Sequence, residues 1–118
     1  MNNFSALRIA AIMGFLAVAL GAFGAHGLKT LLTENATQAI WEKAVFYHFI
    51  HAVMLFVLAN RRTTQRIPWL CFLAGILIFS GSLYLLAVTN AKWLGAITPI
   101  GGVLLLAGWG WLAFKPSH

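Results

Sequence analysis

The chain has 118 residues, 61% of them hydrophobic and 8% charged, and its mean hydropathy is +0.86; a soluble domain carries about 25% charged residues, so a water-soluble globule is excluded. A membrane span takes about 20 apolar residues, so four spans leave room for termini and short connections but for no soluble domain. The net charge of +6 comes without a basic stripe interleaved with aromatics, so membrane topology explains it and a nucleic-acid partner is not expected.

The first apolar run covers about residues 7–27, with Arg8 near its start. A basic start, an apolar stretch and the small residues Ala22 and Gly24 also fit a signal peptide. The ~17 residues from Ile9 to Ala25 exceed the usual signal core, however, and three more spans follow, so a retained helix is expected. Ala10, Gly14, Ala17, Gly21 and Ala25 form a stripe of small residues on which a neighbouring backbone can approach closely. Residues 28–40 turn polar and form the longest connection, in which Thr33, Asn35 or Thr37 is a candidate cap for the next helix.

The second span, about 41–60, is the most polar, carrying Glu42, His48 and His51. Arg61, Arg62 and Arg66 make a basic hinge before the third span, about 67–89, where Pro68 suits the first helical turn. After Asn90, Ala91 and Lys92 comes the fourth span, about 93–114. In it Thr98, Pro99, Gly101 and Gly102 predict a kink or short break, because proline lacks a donor and the glycines weaken the helix. Gly75 with Ser82, Gly95 with Gly102, and Gly101 with Gly108 repeat at seven residues as close-packing positions.

Two features orient this all-α, four-helix transmembrane bundle, read as one membrane domain over residues 1–118. Trp41, Trp69, Trp93, Trp109 and Trp111 all lie near span ends, as interfacial indoles do. Alternating spans put Arg8, Arg61, Arg62, Arg66 and Lys115 on one side against Lys29, Lys43 and Lys92 on the other, so both termini are expected in the cytoplasm of an inner-membrane protein.

The candidate functional residues are the polar ones inside the membrane, which are costly there, about 2.5–3.5 kcal/mol for charged types at the centre. His48 and His51 share a face with Ala44 and Leu55, and Tyr47 lies four residues before His51. His26, at the end of the first span, and Glu42 lie toward one surface and complete a polar cluster. Three chemistries are open to it: metal or haem ligation, a proton or solute pathway, or hydrogen bonding within the bundle with Tyr47, Ser80, Ser82, Tyr84 and Thr98 as partners. Tight packing and a structural network weigh most, because two histidines three residues apart are weak evidence for a ligand. Cys71 is the only cysteine and His118 is terminal. No catalytic triad, phosphate loop, carboxylate pair or cysteine-rich metal motif occurs, so neither an enzyme nor a bound cofactor is expected.

Four segments in order carry a resemblance: Gly-Ala-Phe-Gly-Ala-His-Gly-Leu at 21–28, Trp41 with Ala44, Tyr47, His48 and His51, Phe-Ser-Gly-Ser-Leu-Tyr at 79–84, and Thr-Pro-Ile-Gly-Gly at 98–102. Together they resemble the YgdD/YwdK-like small membrane proteins, the DUF423 family, with TMEM-type mitochondrial relatives. The resemblance implies a four-span inner-membrane protein and carries over no catalytic residue. The expected role is structural or accessory, the bundle packing against lipid, a larger membrane protein or itself. The competing readings are a small transporter or channel using the His48/His51 face, and a metal or haem carrier.

Overall fold

The computed structural model describes residues 2–62 and 65–115; His118 lies outside them. They form six α-helices and no strand: α1 (Asn3–Ala25), α2 (Lys29–Asn35), α3 (Gln38–Ala59), α4 (Arg66–Gly75), α5 (Gly81–Thr89) and α6 (Thr98–Phe114). A π-helical turn, Ile76–Ser80, joins α4 to α5, and a 3₁₀ turn, Lys92–Ala96, precedes α6. Four helical stretches are long and apolar enough to cross a membrane: Asn3–Ala25, Gln38–Ala59, Arg66–Thr89 and Lys92–Phe114. The described residues therefore form a four-span transmembrane bundle.

The spans pack chiefly in chain order: α1 on α3, α3 on α4 and α5, and α4 on α6. The inner two are accordingly the most buried, 39% and 44% of their apolar windows against 22% and 17% for the outer two. On α1 the buried positions are Ala6, Ala10, Met13, Ala17 and Gly24, which together with half-buried Leu20 alternate steps of three and four as a left-handed helix pair requires. The expected small-residue stripe is thus displaced. A Cβ on Gly14 would meet nothing within 4 Å and Ala25 is exposed, because consecutive steps of four drift off a seam that keeps a seven-residue repeat.

The polar connection at 28–40 is not a plain loop. Its first half is α2, closed by Ala36 in the left-handed conformation (φ 57), where Thr37 N–H bonds Leu32 O at 2.9 Å and Ala36 N–H bonds Thr33 O at 3.1 Å. None of the three candidate caps closes α3 through its side chain. The Thr37 hydroxyl instead donates to Ala87 O (2.8 Å) and the Asn35 amide to Ala87 O and Val88 O (3.1 and 3.2 Å), tying this connection to the end of the third span.

The break expected at residues 98–102 is also relocated. Pro99 stands in the first turn of α6, where its missing N–H is not needed by the helix. The irregularity lies before it, at the 3₁₀-to-α junction, and residues 98–102 continue as a regular helix. Two tryptophans depart from the interfacial expectation: Trp69 is fully buried and Trp41 is 4% exposed, each with its indole N–H on a main-chain carbonyl, Leu55 O at 3.2 Å and Leu20 O at 2.9 Å.

Candidate functional site

The buried positions Trp41, Ala44, His48, His51, Leu55 and Leu58 of α3 alternate steps of three and four, so one face of the helix is turned into the bundle. That face carries both histidines inward, at 3% and 4% exposure. With no water in the hydrocarbon, imidazole nitrogens placed there need protein partners.

His51 has two. Its Nδ1 lies 2.7 Å from Tyr47 O, one turn earlier on the same helix, and its Nε2 accepts from the Trp109 indole N–H of α6 at 2.9 Å. A carbonyl only accepts and an indole N–H only donates, so this pattern admits one form of the ring: neutral, with the proton on Nδ1. The ring also sits against Phe72 and Trp109, centroids 5.3 and 5.9 Å away.

His48, one turn earlier, pairs its Nδ1 with the Tyr84 hydroxyl of α5 at 2.7 Å. Its Nε2 is buried without a hydrogen-bond partner. The Tyr84 ring lies against Trp41, centroids 4.8 Å apart. Trp41 in turn fills a notch on α1 at Gly24, where an added Cβ would collide with the indole. Beside them the Ser80 hydroxyl at the end of the π turn donates to Ala44 O at 2.7 Å. The second span is thereby bonded through side chains to all three others.

The remaining sequence candidates are distributed as follows. Tyr47 contributes its carbonyl to the network while its ring, 39% exposed, lies against Phe79 at 4.9 Å. His26, at the C-cap of α1, and Glu42 are both exposed, away from the buried histidines. Among the described residues no group of three His, Cys, Asp or Glu is arranged to hold a metal ion. Thr98 Oγ1 lies 2.6 Å from Ser82 Oγ, and Gly101 abuts the main chain of Phe79 in the π turn. Gly102 makes only ordinary contact with the Phe79 ring, and Pro99 is exposed.

Trp109 is the member of the network that the sequence reading missed, having been assigned to the interface. Chemically, the arrangement joins helices. His51 has no ring nitrogen free for a metal or a migrating proton, and His48 keeps one.

Comparison with known proteins bears on the same segments. The profile described as "Protein of unknown function (DUF423)" matches residues 20–102, from the end of α1 through the first turn of α6. The chain is 46% identical over 108 residues to the UPF0382 membrane protein YwdK of Bacillus subtilis, covering 86% of each. It is 45% identical over 106 residues to the UPF0382 membrane protein SH2409 of Staphylococcus haemolyticus, covering 86% of this chain and 85% of the relative. A UPF0382 membrane protein of Haemophilus influenzae is 43% identical over 112 residues, covering 92% and 90%. No solved structure matches the chain. Four apolar spans, a family profile covering most of them, and relatives that are themselves membrane proteins make this chain a membrane protein of the DUF423 family.

Proposed function

We propose that the chain is a non-catalytic structural or accessory protein of the inner membrane, both termini cytoplasmic, whose buried histidines hold the bundle together and neither carry a solute nor hold a metal. The observation that supports this reading is the double commitment of His51. Its Nδ1–H is spent on Tyr47 O and its Nε2 lone pair on the Trp109 N–H. A relay histidine must exchange its proton and a ligand histidine must offer a lone pair; here the proton is held within α3 by Tyr47 O, and the lone pair is freed only by breaking the contact with Trp109 of α6. The weakly buried outer helices suit a bundle that offers faces to lipid or to a larger membrane assembly.

The test combines transport with stability. In proteoliposomes under a pH gradient, the purified protein should leave the gradient decaying as in empty vesicles, and it should carry neither stoichiometric metal nor a haem absorption band. His51→Leu should lower thermal stability in detergent by about 1–3 kcal/mol, the cost of stranding a buried partner. Gradient collapse with the wild-type protein that vanishes in His51→Leu would overturn the proposal and assign the histidine face to a pathway.

A further inference from the structure

Outside the histidine face, α1 and α3 flank a groove of about 680 Å³. Its floor is small, with Ala17, Gly21 and Gly24 on α1, and its α3 wall is apolar, with Phe46, Phe49 and Ile50. Its polar members gather at one end, where Lys29, Gln38 and Glu42 line it. All three are exposed, and neither Lys29 nor Glu42 has an ion-pair partner among the described residues, each other included.

The dimensions fit one leaflet. Gln38 and Ile50 are twelve residues apart on one helix, so the groove runs about 18 Å along α3 at 1.5 Å per residue. Half of a hydrocarbon core about 30 Å thick is about 15 Å. The polar end therefore comes level with the headgroups when the apolar part lies among acyl chains. The charges at that end are one cation and one anion with an amide beside them, which complements a headgroup carrying both signs and gives an anionic headgroup a carboxylate to avoid. We propose that this groove is a binding site for a zwitterionic aminophospholipid: an acyl chain lies along Val18 and Gly21 against Phe46 and Phe49, the phosphate meets Lys29, and the primary ammonium meets Glu42.

The test is native mass spectrometry of the full chain released from detergent after addition of equimolar palmitoyl-oleoyl phosphatidylethanolamine and phosphatidylglycerol. One phosphatidylethanolamine should remain per chain, favoured over phosphatidylglycerol by about fivefold, the scale of one exposed ion pair. Glu42→Gln should bring that ratio close to one, and Lys29→Met should reduce retention of both lipids, with thermal stability unchanged in each because the side chains are exposed. Equal retention of the two lipids by the wild-type chain, or a preference that survives Glu42→Gln, would overturn the proposal. So would a lipid-free dimer dispersed by Phe46→Ala, which would give the groove to a second copy.

Discussion

At the scale of single residues, the histidine network makes claims that atoms can answer. The neutral form of His51 with its proton on Nδ1 follows from two fixed partners, an acceptor at Tyr47 O and a donor at Trp109. Nitrogen-15 spectra of histidine-labelled protein should accordingly show a protonated Nδ1 and an unprotonated Nε2 for this ring. Trp109→Phe keeps most of the aromatic contact with Phe72, whose centroid is 5.1 Å away, but removes the donor. Interhelical hydrogen bonds in membranes are worth about 0.6–1.7 kcal/mol, so a stability loss of that size in detergent is expected, read as a lower melting temperature, with the Nε2 resonance displaced. A second residue carries strain of a different kind: Ala36 adopts the left-handed conformation, which costs an L-residue roughly 1–2 kcal/mol. Ala36→Gly should therefore raise stability by about 1 kcal/mol. The inward direction of His48 and His51 was legible because three residues on a helix define a face. Their partners were not, because Trp109 is 58 residues from His51 and nothing local fixes the register of two separate spans.

At the scale of elements, the third and fourth spans meet in an antiparallel ladder that alternates large and small side chains. Phe72 faces Gly108, Gly75 faces Leu105 and Phe79 faces Gly101, and the series ends in the Ser82–Thr98 hydroxyl pair. Each step along one helix is matched by an equal step back along the other, which explains why glycines recur at seven residues on α6. The ladder separates neighbouring glycines. A Cβ at Gly101 would run into the main chain of Phe79, 2.7 Å from its Cα, whereas one at Gly102 would reach only the Phe79 ring at 3.6 Å. Backbone cannot move aside as a side-chain tip can, so Gly101→Ala should destabilise by about 1–3 kcal/mol. Gly102→Ala should be neutral or slightly stabilising through helix propensity, and paired thermal melts in detergent give the comparison. Of the small-residue repeats, Gly75 with Ser82 and Gly101 with Gly108 lie in this interface, whereas Gly95 and Gly102 make only ordinary contacts. The π turn opposite Gly101 was not readable, since one widened turn leaves the apolar run uninterrupted. It brings the Gly81 N–H onto Ile76 O and leaves Phe79 O to accept from the Ser82 hydroxyl at 2.9 Å. The proline was visible but its effect depends on position: in the first turn it starts a helix, and a few residues later it would have kinked one.

At the scale of the whole molecule, the two ends of the bundle are tied by different bonds, and these bear on orientation. At one end the Asn3 amide donates to Arg61 O at 3.3 Å, bringing the start of the first span beside the basic hinge that carries Arg61, Arg62 and Arg66. At the other, Asn35 and Thr37 hold the end of the third span through Ala87 and Val88. The first end gathers five cations with Arg8 and Lys115, and the second has Lys29, Lys43 and Lys92. Positive charge in short loops is retained in the cytoplasm, so the proposed orientation rests on a margin of two cations, and the hinge supplies three of the five. Cytoplasm- and periplasm-active reporters fused to either terminus should both report a cytoplasmic location for the natural chain. Replacing Arg61, Arg62 and Arg66 together with Gln leaves Arg8 and Lys115 against three lysines, and the same reporters should then show a mixed or inverted population.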